Sequence, residues 1–186
     1  LAVLLALCLA VQLCVPAAMA SNRLMRAGDA AIEQIEEEEG FRAEKYSSGG
    51  KWYIGYGTEC GAEDYPEGIT REEAELLLMS KVEAYEAKLN DFFDRYDVTP
   101  TQGQFDALIC FSYNFGTGWM SGTSDLVKIA RGEKDATRLE VAHAFGEWCH
   151  SGGQAQAGLA ERRLQEAAIY LDDGTRAAEN EFSSGT

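Results

Sequence analysis

The chain has 186 residues, and 31 Asp and Glu against 16 Lys and Arg give it a formal net charge of −15. That balance excludes the Lys and Arg patches on which phosphate recognition rests, so no nucleic-acid partner is expected. Its two histidines, His143 and His150, match no metal-ligand spacing, and no metal or cofactor is expected.

Residues 1–20, LAVLLALCLAVQLCVPAAMA, carry no charge and end in Ala18-Met19-Ala20, an A-x-A-like cleavage site. They read as a signal peptide; Gln12 and Pro16 interrupt the apolar run and leave it short for a stable membrane span. Contact with a membrane is therefore expected only transiently, through this leader. Residues 21–174 are of single-domain size and can bury a core without staples, and the small, polar residues 175–186 read as a flexible tail. A monomer is expected. Cys60, Cys110 and Cys149 lie beyond the leader. Cys110, in the apolar run Ala107-Leu108-Ile109-Cys110-Phe111, reads as a core residue, and export motivates a Cys60–Cys149 disulfide.

In chain order, Asp29 as N-cap and Gly40 as the stop predict a helix from about Ala30 to Glu39. On a 3.6-residue period Glu39 shares the apolar side of Ile32 and Ile35, while Glu33, Glu37 and Glu38 point elsewhere. A carboxyl at that place faces the negative end of the helix dipole, which favours its neutral form, the form a general acid needs. From Ala43 to Gly57 the pattern is strand-like around a Gly49-Gly50 turn, a hairpin forming a small lobe. A loop from Cys60 to Gly68 follows. Thr70 and Glu73 then make a capping box before a helix reaching about Phe93, long enough to join two lobes.

Thr99 as cap and Pro100 at the first helical position predict a helix through Phe115 that is apolar on most faces, hence central, and ends at Gly116. Shorter helices are expected from about Ser124 to Arg131, from Asp135 or Ala136 to about Trp148, and from Ala155 to Leu171, closed near Gly174. The expected class is α+β, mainly α.

Glu39-Gly40-Phe41-Arg42, Tyr46 and Ile54-Gly55-Tyr56-Gly57-Thr58 together resemble the N-terminal signature of the phage-type lysozymes, glycoside hydrolase family 24. Ile69-Thr70 with Glu73-Ala74, Gln104-Phe105-Asp106-Ala107-Leu108, Tyr113-Asn114-Phe115-Gly116, and Gly158-Leu159 with Arg162-Arg163 and Glu166 resemble that family too, in its order. The resemblance implies a lysozyme-like two-lobed fold, with a β-hairpin lobe and a helical lobe joined by a long helix. It also implies a secreted or periplasmic muramidase, which cuts the β-1,4 bond between N-acetylmuramic acid and N-acetylglucosamine in peptidoglycan. A releasable signal anchor, known in that family, is the alternative for the leader.

By the same resemblance Glu39 is the catalytic acid, while the family's aspartate and threonine fall on Ser48 and Tyr53. A serine is a poor base and brings no charge, whereas a phenol can still hold a water. Glu44 and Glu59 are the spare carboxylates in the neighbourhood. A catalytically impaired, peptidoglycan-binding lysozyme fold is thus the alternative to a working hydrolase. Asn114, Trp148 and Arg162 are the substrate-binding candidates. Asn114 reads equally well as a satisfied amide, and Trp148, at helical spacing from Phe145, as core. Of Arg162 and Arg163 one is expected to face Glu39 or the wall peptide and the other solvent. Trp52 is expected to pack within the hairpin lobe.

Overall fold

A computed structural model of the protein describes residues 24–172; the expected leader, the C-terminal tail and the Gly174 stop lie outside them. The chain runs α1 (Asp29–Glu39), β1 (Arg42–Ser48), β2 (Lys51–Gly55), β3 (Thr58–Cys60), α2 (Arg71–Tyr96) and α3 (Gln102–Phe115). A 3-10 turn (Gly118–Ser121) leads to α4 (Asp125–Ala130), α5 (Arg138–Gly146), the two-residue strands β4 (His150–Ser151) and β5 (Gln154–Ala155), and α6 (Ala157–Tyr170). The strands form an antiparallel β1-β2-β3 sheet and a separate β4-β5 hairpin.

α2 packs on β2 and β3 at one end and on α3 further along, so it is the spine between a sheet lobe and a helical lobe. The core sits on α3, where every residue from Phe105 to Tyr113 is buried, against α1, α2 and α6. The predicted two-lobed, mainly helical α+β fold is the one observed.

Local chemistry fixes the element ends, and several differ from expectation. α1 is capped by Gly28 instead of Asp29, which sits in the first turn, where its charge suits the dipole. The reason is tertiary. Gly28 N–H donates to Asp106 Oδ1 at 2.9 Å, and a Cβ on Gly28 would stand 2.9 Å from Asp106 Oδ2. The preceding residues are stitched down in the same way: Met25 N–H donates to Asn90 Oδ1, Ala27 N–H to Glu86 Oε1, and Arg26 pairs with Glu86 at 2.7 Å.

α2 opens on the expected Thr70–Glu73 capping box. For α3 the box is Thr101 with Gln104, two residues beyond Thr99, because Gln104 returns the bond to the Thr101 N–H at 2.9 Å. α5 opens on Thr137 with Glu140 and stops at Gly146, short of Trp148. The chain then turns through the β4-β5 hairpin at Gly152 and Gly153, both at positive φ, which delays α6 to Ala157. Strands of two or three residues are too short to show alternation in a sequence.

The Cys60–Cys149 disulfide is not formed. All three cysteines in the described residues are free thiols: Cys60 ends β3 in the sheet lobe, Cys149 precedes β4 in the helical lobe, and Cys110 is buried as expected. Trp52 is also unlike its expectation. It is 40% exposed, since it pairs with Ser47 and Cys60 on the sheet face opposite Tyr53.

Candidate active site

α1 ends in Glu39 because Gly40, at φ 65, turns the chain out of the helix while its N–H closes on Glu36 O at 3.0 Å. Its last turn holds no basic residue. The positive charge comes instead from α6: Arg162 Nη1 donates to Glu39 Oε1 at 2.9 Å. The second oxygen lies over Gly57, where a Cβ would stand 3.0 Å from Glu39 Oε2. With φ at 72, position 57 requires glycine on both counts.

Behind this pair lies a buried network. Arg162 Nε donates to Glu166 Oε1 at 3.3 Å, and Arg163 Nη2 donates to the same oxygen and to Asn114 Oδ1, each at 2.9 Å. Arg163 also stacks over the Phe111 ring at 4.6 Å. Burial pushes the Glu166 carboxyl up to about 7, against the pull of Arg163 and Arg162. Neither arginine is solvated, contrary to expectation, because both turn toward α3: Arg162 reaches Cys110 O beside Glu39, and Arg163 reaches Asn114 and the Phe111 ring.

In front of Glu39 is a cleft of about 240 Å³, lined also by Tyr46, Ser48, Tyr53, Gly57, Lys81, Tyr113 and Asn114. It brings together Glu39, Ser48, Tyr53 and Asn114 from the expected set. Arg162 stands behind Glu39 and positions it without lining the cleft. Trp148 does not line it either; its ring packs edge-on against Phe111 and Phe115, with centroids 5.5 and 4.7 Å away. A larger cavity of about 450 Å³, beside Phe93, Ile129 and Tyr170, contains none of the candidate site residues.

The sheet register explains the second wall. Tyr46 pairs with Tyr53, Ser48 with Lys51, and Tyr53 with Glu59. Directly paired residues share a sheet face, so all five lie on one face, of which Tyr46, Ser48 and Tyr53 line the cleft and Lys51 and Glu59 do not. Tyr46 and Tyr53 stack at 5.7 Å, and Lys51 and Glu59 form an ion pair at 2.8 Å. Glu44 lies where the β1–β2 register shifts and does not line the cleft.

Four lining residues lie outside the expected site set: Tyr46, Gly57, Tyr113 and Lys81, of which Lys81 alone belongs to no motif read from the sequence. Tyr113 donates its hydroxyl to Tyr56 O at 2.7 Å. Lys81, on α2, holds its ammonium 3.8 Å from the Tyr113 ring centroid and 3.5 Å from Gly57 O. Burial pulls Lys81 below the ordinary lysine value, and Glu39 opposes that shift. Its signal was a cation on the apolar stripe of Ala74, Leu78, Val82 and Tyr85. Among the described residues no group of His, Cys, Asp or Glu could hold a metal ion.

The family model for phage lysozyme matches residues 36–166. The endolysin of Bacillus phage B103 is 34% identical over 167 residues, which are 86% of this chain and 59% of that protein. The chain thus spans little more than half of that curated relative. Two solved structures share the fold: the endolysin from Escherichia coli O157:H7 phage FAHEc1, with TM-score 0.66, 32% identity and 80% and 94% coverage of this chain and that one, and the muramidase domain of SpmX from Asticaccaulis excentricus, with 0.61, 29%, 78% and 97%. From Glu36 to Glu166, a span that includes the whole cleft and the arginines behind its glutamate, the chain belongs to the phage lysozyme family.

Proposed function

We propose that the protein is a lysozyme, an endo-acting muramidase that hydrolyses the β-1,4 bond between N-acetylmuramic acid and N-acetylglucosamine in bacterial peptidoglycan. It works as a monomer outside the cytoplasm, at the wall or in the periplasm. One observation carries this reading: a glutamate anchored from behind by Arg162 lies across a sugar-sized cleft from two hydroxyls, Ser48 and Tyr53. The endolysin and muramidase relatives agree with it.

In this mechanism Glu39 keeps Oε1 on Arg162 and delivers a proton from Oε2 to the glycosidic oxygen as the C1–O bond breaks. Ser48 and Tyr53 hold a water against the opposite side of the sugar, and its oxygen forms the new bond to C1, with inversion. The water's proton needs a carboxylate. Glu59 shares the sheet face of Tyr53, and its exposed ion pair with Lys51 is weak enough to exchange. Asn114, fixed by Arg163, presents its amide to the sugar.

The test is release of soluble muropeptides from purified peptidoglycan by the wild type and by Glu39→Gln. The amide cannot donate the proton, and the rate should fall by about a hundredfold to ten-thousandfold. Undiminished release by the variant, or wild-type binding with no soluble product, overturns the proposal.

A further inference from the structure

The larger cavity, of about 450 Å³, lies where α2 ends and α3 begins, and it shares no lining residue with the cleft. Phe93, Val98, Ile129 and Val141 give it apolar walls. Against them stands a polar group that nothing satisfies. Tyr170, on α6, lines the cavity and is only 8% exposed, yet among the described residues its hydroxyl has no hydrogen-bond partner. Its ring lies edge-on to Phe145, 5.7 Å away, a contact that phenylalanine would keep without leaving a buried hydroxyl unpaired. Burial pushes the phenol up to about 12, so at ordinary pH it is a neutral donor. Gln104 also lines the space; its Oε1 accepts the Thr101 N–H at 2.9 Å, which leaves its NH2 as the free end. The lining charges offer nothing to an anion: Lys134 is held by Asp125 at 2.7 Å and Glu140 at 3.5 Å, and Asp135 adds an exposed carboxylate at the rim. Water can satisfy the phenol, but an apolar body that displaces it from the apolar walls is favoured over it.

We propose that this cavity is a binding site for a small neutral amphiphile, an alkyl or aryl group bearing a carbonyl oxygen. The carbonyl accepts from the Tyr170 hydroxyl and the Gln104 amide, while the apolar part lies against Phe93, Ile129 and Val141. A carboxylate is rejected, because it finds no free cation there and faces Asp135. The volume falls within the usual range for small-molecule sites, which are likewise apolar with a few placed polar groups. The site is separate from the cleft and independent of the muramidase reading.

The experiment is calorimetric titration of the full chain at pH 7 with octanamide as the probe and octanoate as its charged counterpart. Octanamide should bind saturably at one site with a Kd of about 1 mM or tighter, and octanoate about tenfold more weakly or not at all. Tyr170→Phe should unfold in urea at the wild-type midpoint or above it, since it loses only an unpaired hydroxyl, and should raise the octanamide Kd about tenfold, as for loss of one hydrogen bond. Ala136→Trp, which fills the space, should abolish the binding with the circular dichroism of the fold retained. No saturable heat from octanamide overturns the proposal and leaves the cavity to water. Equal Kd values for the wild type and Tyr170→Phe, or octanoate binding as tightly as octanamide, overturn it too. If Ala136→Trp does not fold, the comparison of the wild type with Tyr170→Phe decides alone.

Discussion

The two walls of the cleft are held in opposite ways. Glu39 is tied through Arg162 to Glu166, Arg163 and Asn114, within packing where Arg163 and Glu166 are wholly buried. Ser48 and Tyr53 stand on a sheet whose first strand has no buried residue, and Tyr53 is steadied by a ring stack with Tyr46. The wall that carries the acid is part of the core, and changing it disturbs folding. The wall that faces it is nearly all surface, so its residues can change without cost to the fold. That asymmetry fits the resemblance, which puts the family's aspartate and threonine on Ser48 and Tyr53 of the exposed wall and its glutamate on Glu39 of the buried one.

The largest effect expected on stability is on the core side. Arg163→Met takes the donor from Asn114 and the shorter of two donors from Glu166, leaving that buried carboxylate on Arg162 alone, and urea unfolding at pH 8 should show a loss of about 3 to 5 kcal/mol. Ser48→Asp in the same assay should stay within about 0.5 kcal/mol of wild type, as an exposed substitution does. Similar losses from the two changes would break the contrast between the walls.

A second expectation concerns pH and sharpens the same contrast. The folded protein holds a proton on Glu166 up to about 7, whereas the unfolded chain releases it in the ordinary carboxylate range. This contribution is full below that range and is lost as pH rises to about 7, by about 3 kcal/mol at most. Glu166→Gln imitates the neutral acid and lacks the dependence. The wild type should therefore lose stability relative to the variant between pH 5 and 7.5; parallel curves would mean that the two arginines keep Glu166 ionised throughout.

The smallest expected effect is on activity. By the resemblance Ser48→Asp places a carboxylate where the family keeps one, and under the proposed mechanism muropeptide release should rise about tenfold or more. No gain would mean that Glu59 already takes the water's proton with full effect, and Glu59→Gln should then lose activity that Ser48→Asp recovers.

Much of the fold was legible because its signals are local and repeat: the capping box at Thr70, the Gly49-Gly50 turn, the apolar α3, the glycine stops at Gly40 and Gly116. Glu39 was legible for the same reason, as a charge on an apolar stripe. What the sequence reading missed depends on contacts across the chain. Gly28 caps α1 only because Asp106, on α3, takes its N–H. Arg162 and Arg163 differ from surface arginines only in having α3 and the end of α1 against them. Lys81 obeyed the same rule as Glu39, but one lysine in a long helix is easily read as solvated.

The stitching of Met25 to Gly28 has a mechanical consequence. Their hydrogen bonds and ion pair end on Glu86, Asn90 and Asp106, so tension entering the chain ahead of Met25 passes into α2 and α3 before it can reach α1. A protein tethered from that side would transmit the load to its spine and leave the carboxyl of Glu39 where Arg162 holds it.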